Sequence, residues 1–215
     1  MKTPDRQKWM KIALGLSIFT IAYNLLEGVF SVYFGATDET LALLGFGVDS
    51  FVEVISGIGI AHMVIRMRNT EVTEHDRFER QALRITGTGF FLLTAGLIAG
   101  ILINILQHNA PKTTLAGIII SGISILSMYF LMALKLKAGK VLKSGAIISD
   151  AHCTRTCLYL SVILLISSTL YELFSIPYID LAGSLGIAWY AFSEGREAFE
   201  KVKENKMACS CGDCH

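Results

Sequence analysis

A chain of 215 residues that is 53% hydrophobic and 17% charged, with a mean hydropathy of +0.53, is too apolar for a soluble globule and reads as a polytopic membrane protein. A net charge of +1 offers no basic footprint for nucleic acid. The five cysteines, two inside apolar runs and three in the last seven residues, do not make a secreted disulfide framework.

Six apolar runs follow one another, each of about 20 to 26 residues and so long enough to cross a bilayer as a helix. Their expected limits are Lys11–Gly35, Leu41–Ile65, Ala82–Leu106, Thr113–Leu136, Ser144–Leu170 and Pro177–Phe199. The fold class is therefore all-α, with six transmembrane helices in one domain over residues 1–200 and a short tail over residues 201–215. The first run follows a basic N-terminus, as a signal peptide would. It is too long for one, contains Asn24 and Glu27, and shows no Ala-x-Ala cleavage pattern, so it reads as a membrane helix.

Charge supports this count. Lys2, Arg6, Lys8 and Lys11 precede helix 1, and Arg66, Arg68, Arg77, Arg80 and Arg84 follow helix 2. Lys135, Lys137, Lys140 and Lys143 are assigned to the loop after helix 4, and Arg196, Lys201, Lys203 and Lys206 to the segment after helix 6. The intervening loops hold almost no Lys or Arg. The alternation places both termini in the cytoplasm. The segment around Glu71, Glu74, His75 and Glu79 reads as a solvated hinge or short helix, and Gly96-x-x-x-Gly100 is a weak signal for close helix packing.

Helix 2 carries the most informative residues. Asp49 and Glu53 are spaced i, i+4 and share one helical face. An ionised acid at the centre of a membrane helix costs about 3 kcal/mol on insertion scales, so a pair of them must face a cation, a partner charge or a water-filled cavity. In helix 1, Glu27 with Asn24 reaches a similar depth, either as a proton-carrying or supporting acid or as a partly hydrated interfacial one.

Helix 5 is the counterpart. At 100° per residue Asp150, Cys153 and Cys157 share a face, with Thr154 at its edge and Arg155 pointing away. Cys153 and Cys157 lie roughly 14 and 20 Å from one surface, and Asp49 and Glu53 roughly 12 and 18 Å from the other. In a hydrocarbon layer of about 30 Å both pairs meet near the midplane. Two carboxylates and two thiols form a candidate tetrahedral set for a borderline or soft divalent ion, zinc or cadmium. His152 lies off that face and reads as a supporting or pore-mouth residue. Arg155 is expected to pair with an acid such as Glu27 or with an interfacial group. Asp180, near the start of helix 6, reads as a helix cap or a further supporting acid. The tail packs Cys209, Cys211, Cys214 and His215 into seven residues, a local signal for a soft metal.

With these residues in place the chain resembles the cation diffusion facilitator, or cation efflux, family over roughly residues 10–199. In that family helix 2 carries two metal-binding positions four apart, which Asp49 and Glu53 match, and helix 5 an acid, a His and an Asp at the spacing of Asp150, Cys153 and Cys157. Asp180 resembles the acidic start of its sixth helix. The resemblance implies a homodimer that exchanges a divalent metal for protons, with no resident cofactor and no enzymatic activity. The cysteines replace the family's His and Asp, and no counterpart of its cytoplasmic metal-binding domain follows helix 6. The flanking patterns, Gly-Phe-Gly-Val-Asp-Ser-Phe-Val-Glu over residues 45–53 and Ser-Glu-Gly-Arg-Glu-Ala over residues 193–198, resemble the short subfamily of bacterial cation transporters, which implies a bacterial plasma membrane. A metal-binding membrane sensor that does not transport, or a thiol-redox protein using Cys153 and Cys157, are the rival readings.

Overall fold

The computed structural model describes residues 3–38, 40–67, 75–107, 111–142, 144–176 and 178–203. These form six helices: α1 (Thr3–Thr37), α2 (Leu41–Met67), α3 (His75–Gln107), α4 (Leu115–Leu142), α5 (Gly145–Phe174) and α6 (Tyr178–Lys203). All six expected helices are present, and most are longer than their apolar cores. The lysine-rich segment after the fourth apolar run continues α4 to Leu142 instead of forming a loop.

Five helices are long and apolar enough to cross a membrane: stretches of α1 (Gln7–Thr37), α2 (Leu41–His62), α3 (Gly87–Leu106), α4 (Leu115–Leu142) and α5 (Asp150–Phe174). The sixth is long enough, but Asp180 lies near its start and Glu194, Arg196 and Glu197 near its end. Its apolar residues between these ends pack into the same core as the other helices. The chain is an all-helical, polytopic membrane protein.

Helix α2 is the hub. It packs most extensively on α1 and also touches α3, α5 and α6, while α4 pairs mainly with α5 and α3 with α6. The central apolar cluster draws Phe46 from α2, Leu93 and Leu97 from α3, Leu160 and Leu164 from α5, and Ile187 and Ala191 from α6. Leucines and aromatics such as Leu92, Leu106, Leu126, Phe130 and Trp189 point outward, as a bilayer permits.

The α1–α2 seam depends on absent side chains. A Cβ on Gly35 would come within 2.7 Å of the Leu44 nitrogen, and one on Gly47 within 2.8 Å of the Ser31 Cβ. Small residues let helix backbones approach closely where hydrophobic force between helices is lacking. Gly47 stands two residues before Asp49, so this seam also fixes the depth and rotation of the acidic pair. The Gly96-x-x-x-Gly100 pattern makes no such backbone approach. A Cβ on Gly96 would meet nothing within 4 Å, and the atoms nearest to one on Gly100 are the flexible end of the Leu41 side chain, at 2.8 Å.

Gly47→Leu should therefore destabilise the protein by about 1–3 kcal/mol, the range for overpacking a close contact. Gly96→Ala, which meets open space inside α3, should leave stability unchanged or raise it by up to about 1 kcal/mol. Thermal unfolding of the purified protein in detergent reads both.

Candidate metal site

Asp49 is fully buried and Glu53 nearly so. The Cys157 thiol donates to Asp49 Oδ2 at 3.2 Å, joining α2 to α5. The depths read from the sequence therefore meet in space. One turn further along, the Thr154 hydroxyl donates to Glu53 Oε1 at 3.0 Å.

Beyond Thr154 stands a cation that the sequence reading placed in a loop. Lys135 of α4 is only 2% exposed. Its ammonium lies 2.9 Å from Asp150 Oδ2 as a buried ion pair, and it donates to Thr154 Oγ1 at 2.9 Å. A continuous polar line thus runs from Asp150 to Lys135 to Thr154 to Glu53. The signal was present in the sequence: Gly117, Ser121, Ser124, Met128, Leu131, Lys135 and Ala138 recur at alternating steps of four and three, and all are buried. Lys135 lies on the inward stripe of α4. Lys137, two residues on, is exposed and stands over the Trp9 ring at 5.8 Å.

Several oxygens in this region accept no hydrogen bond from the described residues: Asp49 Oδ1, Glu53 Oε2 and Asp150 Oδ1, all buried. Buried carboxylate oxygens left this way are costly unless a cation or proton answers them. Among the described residues, no three His, Cys, Asp or Glu side chains converge as a set that could hold a metal ion in this arrangement. Cys153 is half-buried, at the side of the α5 face that Thr154 and Cys157 occupy. His152 is half-buried as well, and its carbonyl accepts from the Thr156 hydroxyl at 3.3 Å.

Glu27 of α1 approaches from the other side. It accepts from Tyr23 at 3.0 Å and from Ser50 of α2 at 3.1 Å. Ser50 follows Asp49 directly, so Glu27 is coupled to the acidic helix through one hydroxyl. Asn24 is fully buried and donates to the Thr20 carbonyl at 3.0 Å, and no described residue donates to its own Oδ1. Arg155 does not pair with Glu27. It is exposed on α5, near Tyr190 of α6, while Glu27 is answered by hydroxyls of α1, α2 and α4.

Asp180 caps a helix, though not its own. Its carboxylate accepts from the backbone N–H groups of Leu41 at 2.9 Å and Ala42 at 3.4 Å, closing the first turn of α2 from α6. Glu172 of α5 does the same for α4, accepting from the Thr114 N–H and hydroxyl, each at 3.0 Å. Cys209, Cys211, Cys214 and His215 lie outside the described residues.

Residues 17–203 match the cation efflux transmembrane domain. The chain belongs to the cation efflux family. A search of curated proteins finds no match. As a cation efflux protein it is an integral, multi-pass transporter of divalent metal cations. The family is one of transporters, so the thiol-redox reading falls away at family level.

The polar line carries stability as well. Thr154→Val keeps the shape but removes the hydroxyl that links Lys135 to Glu53. It should cost about 1–3 kcal/mol, the penalty for leaving buried polar groups unsatisfied. Asp150→Asn, which strands the Lys135 ammonium, should cost more, about 3–5 kcal/mol. Chemical denaturation in detergent measures both.

Proposed function

We propose that this cation efflux protein exports a zinc-type divalent ion, zinc or cadmium, from the cytoplasm in exchange for protons, with Asp49, Glu53, Cys153 and Cys157 as the membrane ligands. The observation that carries this reading is the contact of Cys157 Sγ with Asp49 Oδ2, 3.2 Å long and fully withdrawn from solvent, beside Glu53. A thiol donating to a carboxylate puts a proton between a sulfur and an oxygen. A divalent ion needs the same atoms in their deprotonated form, so proton and metal compete for one place. Sulfur with oxygen favours zinc or cadmium over magnesium or calcium.

In the ion-bound arrangement the α5 face turns or slides enough to bring Cys153 beside Cys157, completing four ligands. Protons arriving from the outer side restore the thiol–carboxylate contact and release the ion. Glu27 is suited to pass a proton, because Ser50 links it to the residue next to Asp49. Asn24, Asp150 and His152 support the site, and Asp180 holds the outer end of α2 in place. The tail residues Cys209, Cys211, Cys214 and His215 deliver the ion on the cytoplasmic side. A homodimer in a bacterial plasma membrane completes the reading.

The test is flux. Reconstituted vesicles loaded with a zinc- and cadmium-sensitive dye should show metal movement that follows an imposed pH gradient and disappears in Asp49→Ala. Flux indifferent to the gradient would remove proton exchange from the reading. Flux retained in Asp49→Ala would remove the site. Tight metal binding with no flux would return the non-transporting sensor.

A further inference from the structure

Lys135 has no place in the ligand set, yet it is the one buried cation among the described residues. Its ammonium holds Asp150 directly and reaches Glu53 through the Thr154 hydroxyl. Three carboxylates, Asp49, Glu53 and Asp150, therefore share with a single fixed positive charge a poorly screened interior that the buried Glu27 also faces. Each keeps one buried oxygen to which no described residue donates.

A bilayer-embedded pair can exist merely to neutralise itself. Two features argue for more here. The ammonium is shared between Asp150 and a hydroxyl that faces the helix-2 acid, so it is not saturated by one partner. It also stands on a different helix, α4, from both candidate ligand helices, so its distance from Asp49 and Glu53 is not fixed by the α2 backbone that carries them.

We propose that Lys135 is a tethered counter-cation of the metal site, whose positive charge sets how weakly a divalent ion is held and so allows its release. This rests on the assignment of Asp49 and Glu53 to the metal. With the site protonated, the ammonium answers Asp150 and, through Thr154, Glu53. When the divalent ion binds, it takes over Glu53 and is repelled by the ammonium, which stays with Asp150. A transporter needs this balance. Three acids without a fixed cation would trap a divalent ion, and binding that is too strong slows departure.

The experiment measures zinc affinity by competition with a chelating dye, on purified full-length protein in detergent. Cys209→Ser, Cys211→Ser and Cys214→Ser form the background, so that tail thiols do not contribute. Lys135→Gln keeps hydrogen-bond donors for Asp150 and Thr154 and removes the charge. It should bind zinc on the order of tenfold more tightly or better, given the strength of unit-charge interactions in a protein interior. Maximal flux in vesicles should fall as release slows. Lys135→Arg, which keeps the charge, should stay within about threefold of the parent, since the distance and not the sign of the charge changes. Unchanged or weaker zinc binding in folded Lys135→Gln would overturn the proposal and leave Lys135 as a structural partner of Asp150.

Should Lys135→Gln fail to fold, Lys135→Met combined with Asp150→Asn removes both charges of the buried pair without stranding either. That double variant should bind zinc more tightly than Asp150→Asn alone. Equal or weaker binding would overturn the proposal equally. Asp49→Ala separates the two levels of argument. If it binds zinc like the parent, the site assignment fails. If it loses zinc while Lys135→Gln shows no tightening, only the counter-cation proposal fails.

Discussion

A buried carboxylate inside a bilayer must be answered by something, and most of this structure is organised by how its buried acids are answered. Asp49 faces a thiol, Glu53 a threonine hydroxyl, Asp150 an ammonium, Glu27 a tyrosine and a serine, and Asp180 two backbone amides. The answers come from α1, α2, α4 and α5, so each acid ties at least one pair of helices or turns together. α2 is the hub because it supplies the acids that need outside partners. The glycine seam with α1 sets its rotation, and Asp180 of α6 fixes its outer end. The energetic logic is that leaving any one answer out costs more than the interaction gains when present.

The strength of the answers is graded. Asp180 is held by amides and Asp150 by a full positive charge, whereas among the described residues Asp49 and Glu53 are answered by a thiol and a hydroxyl. The two acids on helix 2 are the ones left least satisfied. They are also the two on the face toward the other candidate ligand helix. An acid committed to a backbone or to a salt bridge is poorly available to a cation, while one held by a weak donor can exchange it. The gradient of partner strength therefore separates acids that build the fold from acids that remain exchangeable.

Much of this was legible in the sequence. Run lengths and alternating basic residues specify six helices, and counting 1.5 Å per residue from opposite surfaces brings Asp49 and Cys157 to one depth, where they touch. Two features escaped. A rule that lets charge mark helix ends places Lys135 in a loop, although the four-three stripe from Gly117 to Ala138 puts it inward. A long side chain with a buried partner lets a helix carry a lysine past the end of its apolar run. The second was rotation. On the α5 wheel Asp150, Thr154, Cys157 and Ser161 fall within about 60°, and Cys153 lies about 40° beyond Cys157. Attention to thiols and acids selected Cys153 and left Thr154 at the edge, whereas the hydroxyls of Thr154 and Ser161 lie on the buried stripe. Polar residues that carry no charge were the ones undervalued.

The choice of cysteine at position 157 fits the same grading. A serine there would hold Asp49 with a stronger hydrogen bond and would offer a divalent ion a poor, protonated oxygen. A histidine or aspartate would bring a harder ligand, and the aspartate a further buried charge. A thiol is a weak donor while it keeps its proton and a strong, soft ligand once it loses it. The difference between its two states is therefore large where a transporter needs it to be. On the proposed reading, little would be lost when the Asp49 contact opens, and much would be gained if a zinc-type ion took the place of the proton. Buried cysteine otherwise packs as a small apolar side chain, and Met128 and Leu131 of α4 pack around Cys157 in that way. The site is thus apolar on one side of the sulfur and acidic on the other. That asymmetry directs the thiol of Cys157 toward the carboxylates of α2.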